Sequence, residues 1–155
     1  MPEKKTIEKA QRDKRRGKAP STQAGEFVHE EIEHVRKGKH GARSTKQAIA
    51  IGLSKARRAG VKLPAPKKGT ASSRTRTSAA ADLRRGKSAA GRGSAPVSRR
   101  RSRATEEALQ REGNQAASRS SLAKQARSAA RKRSAAARSA SAKKAAHTRA
   151  AARRK

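Results

Sequence analysis

The hydrophobic and polar residues of this chain follow a helical spacing in its first third and lose that spacing afterwards. The clearest stretch is residues 44–64, STKQAIAIGLSKARRAGVKLP. Within it, Ile49, Leu53 and Ala56 recur at positions i, i+4 and i+7, so they share one face of a helix. The pattern predicts an amphipathic helix here.

The ends of this helix are marked by residues that stop or start helices. Ser44 and Gln47 have the spacing of a capping box, in which the hydroxyl accepts a backbone N–H and the amide reaches back. Gly60 suits the left-handed residue that follows a helix, and Val61 suits the apolar position of a Schellman stop. Pro64 forbids continuation of the helix.

Two further helices are predicted before this one. The first covers residues 4–16 and is stopped by Gly17, while the second covers residues 22–37 and is stopped by Gly38. The short connection to residue 44 predicts that the second and third helices form a helical hairpin. The second helix has one apolar face made of Ala24, Val28, Ile32 and Val35, with Phe27 beside it.

Charge and composition change this picture beyond residue 63. The 155 residues include 43 Lys and Arg against 11 Asp and Glu, a net charge of +32, with Phe27 as the sole aromatic and no cysteine. Residues 1–63 carry a net charge of +10, residues 64–155 one of +22, and most large apolar residues lie in the first part. Low hydrophobicity and high charge predict disorder, because such a segment buries too little to offset its ordering entropy.

The predicted fold is therefore mostly α. A small helical head occupies residues 1–63, a disordered basic linker residues 64–103, and an Ala- and Arg-rich tail residues 104–155. The tail has high helix propensity, but like charges at i, i+4 such as Arg127 and Arg131 oppose the free helix. We expect it to be partly coiled when free and helical when bound.

Two motifs suggest catalysis or cofactor binding and fail on spacing or context. His29 and His34 flank three glutamates, but a zinc-protease helix needs its histidines four residues apart, and these are five apart. Residues 81–88, ADLRRGKS, resemble a relaxed phosphate loop, yet no buried strand precedes them. We expect no enzyme activity, no cofactor, no metal and no small-molecule substrate.

The cations point to a polyanionic partner. Recognition of single strands commonly stacks bases on aromatic rings, and Phe27 is the one aromatic residue here, so phosphate contacts on a duplex are expected instead. Residues 115–155 contain 13 Lys and Arg and no acid. The candidate nucleic-acid-binding residues are Lys55, Arg57, Arg58, Arg99, Arg100, Arg101, Arg103, Lys124, Arg127, Arg131, Lys132, Arg133, Arg138, Lys143, Lys144, Arg149, Arg153 and Arg154.

Two resemblances add to this reading. Residues 21–60, with the core KQAIAIGLSKARRAG, resemble an uncharacterised family of small basic bacterial proteins, over about residues 1–66. That resemblance implies a bacterial origin and no particular activity. The tail is similar in composition to histone H1-like bacterial nucleoid proteins, although Arg outnumbers Lys and no winged-helix domain is visible.

Together these features predict a histone-like, nucleoid-associated protein of the bacterial cytoplasm that binds DNA independently of sequence, with a possible homodimer through the face of Ile49 and Leu53. No stretch is apolar enough for a membrane span. Two alternatives stay open: an RNA- or ribosome-associated basic protein, and a protein-interaction module with the tail as a tether. The module would use the acidic second helix, with its residues Glu26, Glu30, Glu31 and Glu33.

Overall fold

The computed structural model describes residues 2–89 and 98–153, with the backbone alone described at residues 89, 101, 152 and 153. These residues form α-helices and one 3-10 turn, joined by short turns and by a longer non-helical connection at residues 59–72. They divide into two compact units, Met1–Ser118 and Arg119–Lys155, which are considered separately below. The helices are α1 Lys4–Arg15, α2 Pro20–Arg36, α3 Thr45–Arg58, α4 Ser73–Ala89, α5 Arg99–Gln110, α6 Arg119–Arg131 and α7 Ala135–Arg153, with a 3-10 turn at Gln115–Ala117.

The start of α3 confirms the predicted cap and alters one detail of it. Ser44 has extended backbone angles, and its Oγ accepts a hydrogen bond from the Gln47 amide at 3.2 Å. The Gln47 side chain reaches back one residue further than a capping box requires. Its Oε1 accepts from the backbone N–H of Arg43 at 2.9 Å. Two otherwise unpaired N–H groups at the helix start are satisfied either way.

The end of α3 is the predicted Schellman stop. Gly60 has a φ of 89°, a left-handed conformation that side chains disfavour. The Val61 N–H donates to the Ala56 carbonyl at 3.1 Å, and the Gly60 N–H donates to the Arg57 carbonyl at 3.1 Å. Val61 is thereby turned back into the core, where it is 6% exposed.

The predicted hairpin of α2 and α3 forms the centre of the first unit, and α1 packs against α2. Phe27 is its largest apolar side chain and is 1% exposed. Leu53, which the sequence offered as part of a dimer face, packs partly buried against this core. The core cluster consists of Ala10, Ala24, Phe27, Ala56 and Val61, with Ile7, Leu53 and Leu63 packed against its edge.

The segment before α1 is tied to α2 by polar contacts. The Glu3 backbone N–H donates to Glu30 Oε2 at 3.2 Å, while Glu3 Oε1 lies 2.8 Å from His34 Nε2 and 3.0 Å from Lys39 Nζ. The hydrogen bond with His34, followed by that from Lys39, lowers the pKa of Glu3 to about 2. The carboxylate is therefore ionised at neutral pH and holds the chain start beside the end of α2.

The predicted disorder of the linker is wrong for residues 73–89 and 99–103, which are helical, and the predicted coil of the free tail is also wrong. Residues 90–97 of the predicted linker lie outside the described residues. Residues 73–89 form α4, which packs on α3, and Ser54 donates a short hydrogen bond to Asp82 across that interface. Gly86 lies so close to the Arg57 carbonyl oxygen that a Cβ there would collide with it. The backbones of α3 and α4 thus pack closely because the residues between them are small. A count of large apolar side chains does not predict such a contact.

Residues 109–117 are also part of the first unit rather than of a free tail. They lie against the connection between α2 and α3 and the start of α3, and Ala116 and Ala117 are buried there. Backbone carbonyl groups of this segment accept the hydrogen bonds, so the sequence carries no signature of the contact. The bonds run from Gly41 N to Leu109 O at 2.8 Å, from Ala42 N to Gly113 O at 3.1 Å, from Thr45 Oγ1 to Ala116 O at 2.6 Å and from Arg36 Nε to Ala117 O at 3.2 Å.

None of the helices in residues 2–89 and 98–153 is both long and apolar enough to cross a lipid bilayer.

The contact between α2 and α3 predicts a steric penalty at Gly52. A Cβ at this position would lie 2.7 Å from Val28 Cα and 3.0 Å from the Phe27 carbonyl oxygen, both backbone atoms. We expect Gly52→Ala to lower the free energy of unfolding by about 1–3 kcal/mol, because neither helix can move aside locally. Urea denaturation followed by circular dichroism measures the change.

Gly25 provides the matched control, because it lies in α2 with nothing within 4 Å of an added Cβ. Gly25→Ala should leave stability unchanged or raise it by about 0.5–1 kcal/mol through helix propensity. Equal effects of the two substitutions would contradict the close contact at Gly52.

The docking of residues 109–117 predicts slow hydrogen exchange at the Ala42 amide. A Cβ at Gly41 would collide with the Glu112 carbonyl oxygen, whereas one at Gly113 meets nothing within 4 Å. Gly41→Ala should release the segment and speed exchange at Ala42 on the order of tenfold or more, while Gly113→Ala should not. An unprotected Ala42 amide in the unaltered chain would contradict this docking.

Candidate nucleic-acid interface

The predicted interface residues of the tail lie on two helices, α6 and α7, rather than on one continuous helix. Ser134 separates them, and its Oγ accepts the Ala137 N–H at 3.2 Å as the cap of α7. Arg133 and Arg138 stabilise this junction through backbone carbonyl groups. Arg133 Nη2 donates to Ala137 O at 2.8 Å, and Arg138 Nη1 donates to Arg133 O at 3.0 Å.

The cations of the second unit are turned to solvent. Every Lys and Arg side chain described between residues 119 and 149 is exposed, and no Asp or Glu follows Glu112 in the sequence. Their positive potential is therefore not cancelled by acids within the segment. The exposed side chains are Arg119, Lys124, Arg127, Arg131, Lys132, Arg133, Arg138, Lys143, Lys144 and Arg149.

Four of these cations converge on one face of α6. Lys124, Arg127 and Arg131 follow one another at helical spacing, and Lys132 comes directly after the helix. Together with Ser128 they line a shallow, open cavity of about 400 Å³. Several ammonium and guanidinium groups around a small hollow suit a phosphate group, which accepts charge-assisted hydrogen bonds on three oxygens.

The predicted residues of α5 are described in part. Arg99, Arg100 and Arg103 are exposed. The side chains of Arg101 and Arg153, and the whole of Arg154, lie outside the described residues.

Lys55, the first predicted residue of the head, is engaged inside the fold. Its Nζ lies 2.5 Å from Glu31 Oε2 and 3.8 Å from Glu30 Oε1, and its side chain is 16% exposed. These two glutamates lie on α2 and are themselves buried. The ammonium therefore joins α3 to α2 and is not presented to a partner.

Arg57 is also used by the fold. It is 6% exposed, and it donates to the carbonyl groups of Leu63 and Pro64 at 3.2 Å each. Burial lowers the pKa of the Arg57 guanidinium, and the Asp82 charge partly opposes that shift. The side chain closes the turn after α3 by satisfying two carbonyl groups.

Arg58 differs from its neighbour in facing solvent. Its side chain is 48% exposed and lies 3.8 Å from Asp82 Oδ1. It is the predicted head residue with the most accessible charge. The first unit has further exposed cations, which the sequence analysis did not include because it predicted residues 64–103 to be disordered. They are Lys67, Lys68, Arg74, Arg84 and Lys87.

The acidic residues of α2 are distributed between the interior and the surface. Glu30 and Glu31 are 6% and 0% exposed. Glu33 lies 3.1 Å from Arg36, and Glu26 lies 4.0 Å from Lys9. All four carboxylates thus face cations of the first unit. The sequence pattern did not indicate these ion pairs.

Comparison with known proteins found a match for the head alone. Residues 2–68 match the sequence profile of a family of unknown function, DUF6496. This part of the chain is similar to that family. The match covers α1 to α3 and ends before α4 begins, which agrees with the expected resemblance to an uncharacterised family. Searches of curated proteins and of solved structures returned no match, so the expected likeness of the tail to nucleoid proteins has no support from them.

Because Arg57 is buried and Arg58 faces solvent, substitutions at these two residues should differ in their effect on stability. Arg57→Gln should lower the free energy of unfolding by about 1–3 kcal/mol, since the buried guanidinium and its hydrogen bonds to the Leu63 and Pro64 carbonyl groups are lost. Arg58→Gln should change it by no more than about 0.5 kcal/mol. Thermal and urea unfolding of the two variants, which carry the same charge change, measures the difference. A destabilised Arg58 variant beside an unaffected Arg57 variant would contradict these roles.

Proposed function

We propose that this protein binds duplex nucleic acid, DNA in the first place, without reading its base sequence. The exposed cations of α6 and α7 contact phosphates, and the first unit provides a folded body to which they are joined in sequence. Lys and Arg contacts to phosphate give affinity through the release of condensed counterions. They carry no information about bases.

A single observation supports this proposal most strongly. The ten described Lys and Arg side chains between residues 119 and 149 are all exposed, while no acid occurs after Glu112. In the first unit some cations, such as Lys55 and Arg57, are instead engaged in internal contacts. The second unit thus presents its ten exposed cations without any carboxylate side chain among them.

The composition of the tail helices supports a duplex as the partner. α7 consists mainly of Ala, with Ser and cations, so its side chains add little width to the helix backbone. The major groove of DNA is about 12 Å wide and admits an α-helix. Phe27 is buried at 1% exposure and is not available to stack on unpaired bases. Binding through stacking on single strands is therefore not supported.

The two alternatives have less support. RNA duplexes present phosphates too, so the experiment below includes them as a separate arm. A protein partner on the acidic face of α2 would have to displace Lys55 from Glu30 and Glu31. Removing the cation from a buried pair costs about 3–5 kcal/mol, which disfavours that surface.

The salt dependence of binding tests the proposal. With about 6–10 phosphate contacts, affinity for a duplex DNA should fall roughly 10³–10⁵-fold between 50 and 200 mM salt. Replacement of Lys124, Arg127, Arg131 and Lys132 by Gln should reduce the slope of log affinity against log salt by about 3–4, at about 0.9 per contact. Fluorescence anisotropy with duplex DNA, duplex RNA and single-stranded DNA measures each slope.

The control variant carries the same loss of charge at another place. Lys67, Lys68, Arg84 and Lys87, exposed residues of the first unit, are replaced by Gln. We expect a smaller change in slope, because these cations lie outside residues 113–155, the part of the chain that follows the last acid. Equal effects of both quadruple variants would show that net charge alone governs binding. Tighter binding to duplex RNA than to duplex DNA would favour the RNA-associated alternative.

A further inference from the structure

Two histidines and a buried glutamate meet at the end of α2. Glu31 and His34 are three residues apart, so they share a face of the helix. His40 comes from the connection that follows the helix. One potential ligand atom from each of the three side chains lies within 4.8 Å of the other two.

The hydrogen bond of His40 fixes how its ring faces Glu31. Nδ1 lies 3.1 Å from the Gly41 carbonyl oxygen, which can only accept, so Nδ1 carries a hydrogen. In the neutral ring, Nε2 is then a bare lone pair, and it lies 3.2 Å from Glu31 Oε1. Both atoms can act as ligands to a metal ion, and their separation is close to that of two ligands bound to one zinc.

The surroundings of Glu31 have an excess of negative charge. Its side chain is 1% exposed, and its Oε1 has no hydrogen-bond partner among the described residues. Lys55 Nζ lies 2.5 Å from Glu31 Oε2 and 3.8 Å from Glu30 Oε1, so it is shared between two carboxylates. One ammonium therefore faces two buried carboxylates, and an uncompensated buried charge is costly.

The geometry points to a binding site for a divalent transition metal formed by Glu31, His34 and His40, with zinc as the best-matched ion. We propose this site as a clamp between α2 and the connection to α3. Two imidazoles and one carboxylate are a recurrent zinc ligand set, with a fourth position left to water or another oxygen. Lys55 would hold the second oxygen of Glu31, and the Gly41 carbonyl would orient His40, as outer-sphere groups do at metal sites.

The distances require a modest closure. Zinc bonds of about 2.0–2.1 Å place ligand atoms about 3.4 Å apart in a tetrahedron. The three ligand atoms now lie within 4.8 Å of one another, and His40 Nε2 is already 3.2 Å from Glu31 Oε1, so His34 is the ligand that must turn inward for a metal ion to bind. Glu3 Oε1, 2.8 Å from His34 Nε2, lies at the open side of the cluster.

Two other histidines of the chain serve as controls. His29 lies on α2 and His147 on α7, and both are exposed. The His29–His34 pair that the sequence brings to attention is thus not the pair that converges in the structure. A substitution at His29 or His147 removes an imidazole without touching the proposed site.

The experiment is a titration of the metal-free full-length chain with zinc by calorimetry, together with cobalt as a spectroscopic probe. We expect one metal per chain and visible absorption bands of tetrahedral cobalt. Two further histidine variants, His34→Gln and His40→Gln, should each weaken zinc binding by about 100-fold or more, since loss of outer-sphere groups alone costs about 10–100-fold. His29→Gln and His147→Gln should bind zinc like the unaltered chain.

Circular dichroism of each variant, and the ¹⁵N shift of His40 Nε2 with and without zinc, provide readouts that do not depend on affinity alone. A zinc-induced shift at Nε2 supports the site even if His34→Gln folds poorly. The proposal is overturned if zinc does not bind, if the control variants lose binding equally, or if the Nε2 shift of His40 stays unchanged at saturating zinc.

Discussion

The close approach of α2 and α3 is the constraint on which the first unit depends. At Gly52 the two backbones come so near that a methyl group would lie 2.7 Å from Val28 Cα. Ala24, Ala48 and Ala56, all fully buried, make up for the scarcity of large apolar side chains with short contacts between helices. Dispersion attraction falls off steeply with distance, so small residues in tight contact supply cohesion that larger residues supply elsewhere.

This tight contact has an electrostatic consequence. It carries Glu31 into the interior, with its side chain 1% exposed, and Lys55 of α3 is the cation within reach. A buried ion pair adds little net stability, but loss of one partner is costly. The pair therefore acts less as a source of stability than as a fixed register between the helices, because sliding either helix by a turn would separate the charges. Lys55 faces two buried carboxylates, Glu30 and Glu31, so negative charge is in excess beside the histidine cluster at the end of α2.

Sequence reasoning found those features whose signal is local. The cap at Ser44 and the stop at Gly60 follow from the residue types alone, and so did the three helices of the head. The docking of residues 109–117 was missed, because Gly41 and Ala42 bind backbone carbonyl groups that any residue could offer. The order of the tail was missed for a different reason: α6 has no buried residue, and the charge and hydropathy balance gave too little weight to the high helix propensity of this Ala-rich segment.

The candidate sites divide in the same way. Exposure of the tail cations follows from a segment with no acids and few apolar residues, so the sequence was a sufficient guide to it. Burial of Arg57 does not follow from its neighbours, because the identical residue type at Arg58 faces solvent one position later. Only the turn after α3, which brings the Leu63 and Pro64 carbonyl groups under the guanidinium, distinguishes them.

The break between α6 and α7 affects how the tail can meet a polyanion. A continuous helix would align its cations on one face, and repulsion between neighbours such as Arg127 and Arg131 would oppose it. The turn at Ser134 interrupts that alignment, and Arg133 and Arg138 spend donors on carbonyl groups at the junction. Arg127 and Arg131 both remain on α6, so the break reduces only the repulsion between cations of α6 and cations of α7. If the tail binds phosphates as proposed, helices that are already formed avoid the entropic cost that coupled folding and binding otherwise imposes.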